Sequence, residues 1–439
     1  MATTPRVEMS SENLSALPHV VVVGGGFAGV SVVKRLANKP VRVTLIDRHN
    51  FHAFLPLLYQ VATAGLEPAD VAYPIRTIFG KAKNVRVRHA RVRNVDRERN
   101  VVILENGTEI GYDYLVVATG AIASFFDIPG ARNYAMPLYT LANARRLRNR
   151  LLRALEDAEV AAENGPVSLN FVVVGGGPTG VETSGALSEL IEIAIRRDGL
   201  HLDPATVRIR LVDVAPRLLA AFPDSASVYA KKVLQEKRVD VDLGRSVVEV
   251  EERAIRFSDG ERLEAAAVIW AAGITAVGTL ANLLEETSGP SGRALVNSDL
   301  TILGSTNVWC VGDAAAIPDE KASTESKVAF CPQLAPVAIQ SGRHCAKQIL
   351  LVVNSQATTP FRFHDKGIMA TIGRRAAVAK LPHLGVIKGT LGWFAWLGLH
   401  LWYLVGFRNR LRVFINWMWR YFDWPSGPRL IVADAETAP

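Results

Sequence analysis

The sequence predicts an α/β protein with two Rossmann-like dinucleotide-binding domains and a C-terminal amphipathic helical membrane anchor. Three observations predict it: a glycine fingerprint that occurs twice, an acidic residue ending a strand after each copy, and a tryptophan-rich C-terminus.

The first fingerprint is Gly24-Gly25-Gly26-Phe27-Ala28-Gly29, after the apolar run 19–23. The second is Gly175-Gly176-Gly177-Pro178-Thr179-Gly180, after 170–174. Each reads as a buried strand turning sharply into a helix. Gly24 and Gly175 permit the tight turn, Gly26 and Gly177 let backbone approach a pyrophosphate, and Gly29 and Gly180 let helix and strand pack closely. The helix N-terminus then offers free N–H groups and a partial positive charge to the diphosphate. One fingerprint is a weak signal; two suggest a pair of dinucleotides exchanging electrons.

A carboxylate follows each copy. Residues 41–47 read as a strand ending in Asp47, at the spacing of about 20 residues expected for an acid that meets ribose hydroxyls. Residues 207–213 end in Asp213, after a longer intervening helix or loop. Asp213 accepts from a free 2′-hydroxyl and repels a 2′-phosphate, which favours NADH over NADPH; nearby Arg217 tempers that preference.

Between these units, residues 84–92 alternate apolar and basic, as a half-exposed strand does. Residues 101–104 and 108–110 flank Asn106-Gly107, a hairpin signal. The run 114–120 is a buried strand ending in Ala118, Thr119 and Gly120, small enough for close approach of a cofactor. Residues 140–160 carry helical spacing among many arginines, as in a surface helix linking domains. The strand 267–273 ends in Ala272-Gly273, echoing the earlier small-residue end, and 307–313 ends in Gly312-Asp313. The organisation expected is a flexible tail at 1–17, a first dinucleotide domain at 18–138 and 289–350, a second inserted at 139–288, and a C-terminal domain at 351–439.

Six of the eight tryptophans fall at the C-terminus: Trp393, Trp396, Trp402, Trp417, Trp419 and Trp424. No charged residue occurs from 389 to 407; Arg408, Arg410 and Arg412 follow. Tryptophan with flanking arginine favours helices at about 388–424 lying in the membrane–water interface. A membrane span and a soluble oligomer interface bury the same pattern.

Composition fits this picture. The 439 residues are 49% hydrophobic and 21% charged, room for two or three domains with an apolar bias. The net charge of +8 is not gathered into a long tract, which argues against nucleic acid and for an anionic membrane surface. Cys310, Cys331 and Cys345 lie far apart, so neither a metal site nor a local redox dithiol is expected. With no charged-then-apolar export signal, a reduced cytoplasmic setting is expected.

Longer stretches carry a family resemblance. They are Phe54-Leu55-Pro56-Leu57-Leu58-Tyr59-Gln60-Val61-Ala62-Thr63-Ala64-Gly65-Leu66, the second fingerprint extended through Val181-Glu182, Asp365-Lys366-Gly367, Ala370-Thr371-Ile372-Gly373-Arg374, and Gly406-Phe407-Arg408-Asn409-Arg410. From residue 18 to about 430 the chain resembles the type II NADH dehydrogenases, monotopic NADH:quinone oxidoreductases that do not pump protons. The resemblance implies a two-dinucleotide-binding flavoprotein fold with FAD in the first site and NADH in the second. It implies that Gly312 and Asp313 meet the ribityl chain, that Ala118, Thr119 and Gly120 lie near the flavin, and that Phe27, Ala28, Arg48 and Gln60 join Gly24, Gly26, Gly29 and Asp47 in holding FAD. For NADH it implies Gly175, Gly177, Pro178, Thr179, Gly180, Glu182, Asp213, Ala272 and Gly273.

The resemblance also implies proton handling by Glu182 and Lys366. Taken alone, Glu182 is equally a first-turn residue complementing the helix dipole, and Lys366 an exposed turn residue. The family's quinone-site helix often reads Ala-Gln-x-Ala-x-Gln; here it is Ala335-Pro336-Val337-Ala338-Ile339-Gln340. Gln340 is kept as a quinone-site candidate, while Pro336 removes a side-chain donor. The expected activity is hydride transfer from NADH to FAD, then two electrons to a lipid quinone, ubiquinone or menaquinone. The protein is expected as a homodimer, peripheral on the cytoplasmic face of the cell membrane or an equivalent organelle inner membrane. A disulfide or sulfide oxidoreductase, another flavoprotein with a non-quinone acceptor, and a membrane-bound nucleotide redox sensor are the alternatives.

Overall fold

The structure, a computed structural model, describes residues 15–197, 199–276, 288–324, 328–382, 384–422 and 430–432, with side chains to 419 in the last helix. Most of the expected tail and Trp424 lie outside the described residues. The chain forms two compact units. The first holds residues up to His52, Tyr73–Ile122 and Ile274–Asp365; the second holds Ala53–Ala72, Ala123–Gly273 and Lys366 onward. The boundaries differ from those expected. The short segment 53–72 and the C-terminal segment join the second nucleotide domain instead of standing apart.

In the first unit, β1 (His19–Val23), α1 (Phe27–Leu36) and β2 (Arg42–Asp47) form the βαβ start. A five-stranded parallel sheet has the order Val308–Cys310, Tyr114–Val117, β1, β2, Val85–His89. β1 is buried along its whole length, as a central parallel strand covered on both faces must be. The single strand expected over 84–92 is two. Val85–His89 stays parallel to β2, whereas Val92–Asp96 turns away and pairs antiparallel with Val101–Leu104. The Asn106-Gly107 hairpin forms as expected, with Val101–Leu104 against Glu109–Gly111. The core gathers the central valines, Trp309 and Cys310.

The second unit repeats the plan with β3 (Leu169–Val174), α2 (Pro178–Arg196) and β4 (Val207–Asp213). Its parallel sheet runs Met136–Pro137, Ala267–Trp270, β3, β4, Val239–Leu243. The helix expected at 140–160 is Leu141–Ala162, started by a Thr140–Asn143 capping box. It lies wholly within this unit rather than linking two. Leu147, Leu151 and Leu155 are buried on one face, beside Arg148, which is 4% exposed and bonds Glu67 at 3.2 Å.

The C-terminal segment forms a three-stranded antiparallel sheet, β5 (Ile368–Thr371) with Ala377–Leu381 and Gly385–Lys388. Two helices follow, α3 (Gly389–Tyr403) and α4 (Phe407–Phe422). At 15 residues α3 is about 22 Å long, short of a hydrocarbon core of about 30 Å. Among the described residues no helix is long and apolar enough to cross a membrane. α4 is pinned inward by Asn409, whose amide lies 3.1–3.4 Å from the carbonyls of Ala69, Asp70 and Ala72, and by Asn416 on the Asp70 carboxylate. Its outer face is a row of exposed apolar residues at helical spacing: Phe407, Leu411, Phe414, Ile415 and Met418.

Candidate functional site

The four glycines of each fingerprint do not share one surrounding. A side chain on Gly24 would collide with the Ala118 carbonyl, and one on Gly29 with the Gly24 carbonyl. Both are therefore required by the protein's own packing. Among the described residues, a Cβ on Gly26 would meet nothing within 4 Å. The second copy is the same: Gly175 abuts Ala271 and Gly180 abuts Gly175, whereas the space beside Gly177 is open. Glycine at 26 and 177 is thus unexplained by internal packing and fits room left for a ligand's phosphates. At the second turn Pro178 and Thr179 are exposed, as the open end of a nucleotide cradle requires.

Gly25 and Gly176, the second glycine of each run, reveal what the two acids do first. The Gly25 N–H donates to Asp47 Oδ2 at 2.5 Å and the His49 N–H to Asp47 Oδ1 at 2.6 Å. In the second unit the Gly176 N–H donates to Asp213 Oδ2 and the Ala215 N–H to Oδ1. Each carboxylate is clamped by backbone on both oxygens, with lone pairs left for ribose hydroxyls. Arg217 differs from expectation. Its guanidinium bonds Asp224 and the carbonyls of Ala220 and Phe222, so it folds into its own loop instead of tempering Asp213.

The remaining flavin-site candidates in the first unit frame the same cradle. Gly120, at φ +71°, has open space beside it, next to Ala118 and Thr119. Gly312 packs near Ala28 and donates to Ser341 Oγ at 3.1 Å; the adjoining Asp313 carbonyl accepts from Gln333. Phe27 meets His52 edge-on, and Arg48 is exposed beyond Asp47. These residues fit an FAD-sized dinucleotide: an anion cradle, a fixed ribose acceptor and small residues along its course. Near the second cradle, Ala272 and Gly273 end the strand, and the exposed ring of Phe126 lies directly on Gly273. Phe126 and Asp127 both hold positive φ, a strained feature that composition gave no reason to expect.

Glu182 is buried at 8% exposure on the first turns of α2. Burial pushes its carboxyl up to about 8; the Thr371 N–H, at 3.3 Å, opposes that shift. The Trp396 indole N–H also favours the ionised form, though it makes no hydrogen bond of ordinary geometry. Beside it lies a narrow cleft lined by Tyr59, Gln60, Trp393, Trp396 and Trp417, with Glu189, Thr371 and Arg374. Trp417 Nε1 donates to Gln60 Oε1 at 2.9 Å, and Gln60 Nε2 donates to the Tyr59 hydroxyl at 2.9 Å. His400 stacks on Trp396 at 4.0 Å; burial lowers it to about 4, so it is neutral. The tryptophan belt is therefore divided: Trp393, Trp396 and Trp417 face inward, while Trp402 and Trp419 face out.

Two candidates remain, Lys366 in the second unit and Gln340 in the first. Lys366 is exposed, before Gly367, whose positive φ and approach to the Lys380 carbonyl set the turn. Gln340 spends both ends of its amide on the backbone of His364, each at 3.0 Å, which gives it a structural part within the first unit. Pro336 lies in the first turn of its helix, where a missing N–H costs little. All three cysteines are buried, and burial raises every thiol: Cys310 to about 12, Cys331 to about 11, Cys345 well above its ordinary value. None is poised as a thiolate, which argues against the thiol-based alternative.

The chain matches the pyridine nucleotide-disulphide oxidoreductase family over residues 18–342 and the NDH2 C-terminal domain over residues 365–423. It is 36% identical to the type II NADH:quinone oxidoreductase NdhA of Mycobacterium tuberculosis (strain ATCC 25618 / H37Rv), over 91% of this chain and 86% of that protein. It is 31% identical to a type II NADH:quinone oxidoreductase of Staphylococcus haemolyticus (strain JCSC1435), over 82% of this chain and 88% of that one. Its fold is similar to NDH2 from Plasmodium falciparum, solved in complex with NADH. The TM-score is 0.84 across 94% of this chain and 99% of that one; at 20% identity this bears on fold alone.

Proposed function

The chain belongs to the type II NADH:quinone oxidoreductases, and we propose that it oxidises NADH and reduces a lipid quinone at a membrane surface without pumping protons. FAD, held in the first cradle, supplies the two-electron relay between nicotinamide and quinone. The observation that carries this reading is the repeated cradle, in which one glycine per copy has no internal reason to be glycine and one aspartate is fixed by two backbone N–H groups.

The protein's own residues divide the work. Asp47 and Asp213 present pre-oriented acceptors to ribose hydroxyls; Asp213 disfavours a 2′-phosphate, now without a nearby free guanidinium. We assign the quinone ring to the cleft of Tyr59, Trp393, Trp396 and Trp417, whose flat faces suit a planar ring. Glu182, with its carboxyl near 8, is protonated at neutral pH and suited to give a proton to a reduced quinone oxygen. Lys366 is exposed and stands as the secondary candidate for that proton.

The membrane reading is supported by the outer faces of α3 and α4. Leu391, Phe394 and Trp402 join the exposed row of α4, with Arg408 and Arg412 beside them. This is the pattern of helices lying in the interface plane. Ubiquinone or menaquinone as acceptor, a homodimer, and the cytoplasmic face of the membrane belong to the same proposal.

Anaerobic stopped-flow absorbance tests it. NADH should bleach the flavin, and a short-chain quinone should restore it rapidly despite Pro336. Bleaching without recovery would refute the quinone reading and favour another acceptor or a sensor.

A further inference from the structure

Glu182 does not sit alone on its helix. Gly185 and Glu189 follow it at i+3 and i+7, so the three share one face of α2. That face meets a single turn, residues 371–376. The Thr371 N–H reaches Glu182 at 3.3 Å. The Ile372 carbonyl crosses Gly185, where a Cβ would stand 2.5 Å from it. The Arg374 N–H donates to Glu189 Oε1 at 2.6 Å.

Lys237 completes the arrangement. Its Nζ donates to the same Glu189 oxygen at 2.8 Å, and its carbonyl accepts from Ser188 Oγ at 2.7 Å. Gly373, at φ +111°, lies beneath the pair; a Cβ there would stand 2.5 Å from Glu189 Oε1 and 2.6 Å from Lys237 Cε. The turn is closed on itself: Thr371 Oγ1 donates to the carbonyls of Gly373 and Ala376, and the Ile372 N–H to Ala376. A turn this constrained moves as a body.

We propose that Glu189, held by Lys237, is a positioning residue for the quinone-side proton donor: it clamps the 371–376 turn so that the Thr371 N–H reaches the Glu182 carboxyl. The inference rests on the reading of Glu182 as that donor. At 3.3 Å the Thr371 bond is already long, and hydrogen bonds weaken steeply with distance and angle, so a small retreat of the turn removes it. The Glu189 and Lys237 side chains are 18% and 22% exposed, so removing either leaves the other's charge half-buried without its partner.

Among the described residues, the groups around Glu182 are few. Thr371 comes from β5, and Trp396 from α3 with neutral His400 stacked behind it. Tyr59 lines the adjoining cleft, as do the charged Glu189 and Arg374. Burial and two N–H groups set the protonation of Glu182, and the turn carries one of them.

The test is the pH dependence of flavin reoxidation by a short-chain quinone, from about pH 6 to about pH 10, in the NADH-reduced holoprotein. The wild-type rate should fall through a midpoint near about 8, and Glu182→Gln should abolish that midpoint. Glu189→Ala should move the midpoint upward by about one pH unit, a roughly tenfold change in the protonated-to-ionised ratio. Glu189→Gln keeps an acceptor for the Arg374 N–H and should stay near wild type. Lys237→Met should shift the midpoint the same way by less, and decides the matter should Glu189→Ala fail to fold. Flavin bleaching by NADH should be unchanged in the Glu189 and Lys237 variants. An unmoved midpoint in Glu189→Ala, or in Lys237→Met if only that folds, overturns the inference while the flat Glu182→Gln profile keeps the donor reading. A Glu189→Gln shift as large as that of Glu189→Ala overturns it too. A wild-type midpoint persisting in Glu182→Gln overturns the donor reading itself.

Discussion

Replacing Glu182 by glutamine should stabilise the protein at alkaline pH and not at acid pH. The carboxyl rises from an ordinary 4.5 to about 8 in the folded chain. Between those values the folded state keeps a proton that the unfolded state has lost. Stability therefore falls as pH rises through this window, by roughly 1.4 kcal/mol per pH unit, or roughly 5 kcal/mol across it. Glutamine cannot ionise and escapes this loss. It keeps an acceptor for the Thr371 N–H, but its new N–H₂ has no assured partner in a buried site, at a cost of about 1–3 kcal/mol. The variant should thus match or fall below wild type near about pH 5 and exceed it by about 2–4 kcal/mol near about pH 8. For a unit of this size about 1 kcal/mol corresponds to about 2–4 °C in Tm. Thermal unfolding of the FAD-loaded protein, wild type and Glu182→Gln, at several pH values reads this difference directly. A Tm difference that stays constant with pH would refute a carboxyl held neutral by burial.

Other perturbations separate the proposed parts. Asp213→Ala removes a charged ribose acceptor, so the KM for NADH should rise about tenfold or more and discrimination against NADPH should shrink; steady-state kinetics with both nucleotides would show it. Gly26→Ala should fold with the Tm of the flavin-free wild type yet not hold FAD, whereas Gly29→Ala, whose side chain meets the Gly24 carbonyl, should yield little folded protein; flavin absorbance per chain and Tm distinguish them. Phe407→Glu with Ile415→Glu places charge on the exposed row of α4 and should abolish sedimentation with anionic vesicles, leaving bleaching by NADH intact. A thiol reagent should label none of the three cysteines in the native protein on the timescale that labels all three after unfolding.

Most of what the sequence determined is local. The strand–glycine–helix turns, the aspartates ending β2 and β4, and the Asn106-Gly107 hairpin rest on sterics and backbone bonds among near neighbours, so residue type and spacing suffice. Even there, sequence could not say that Gly25 and Gly176 are the first partners of those aspartates. Tertiary structure decided the rest. Trp393, Trp396 and Trp417 look like Trp402 and Trp419 in sequence, and only the packing of α3 and α4 turns them inward. Arg217 and Gln340 were drawn to local carboxylate and backbone partners that spacing does not reveal. Glu182 is not in the first turn of its helix, as the sequence alone allowed, but one turn further in, and it is an ordinary acid until segments far away in the chain exclude water from it. Glu189, Lys237 and Thr371 are brought together in the same way. Backbone geometry is fixed by neighbours in the chain, whereas a carboxyl's protonation depends on which distant groups replace its water.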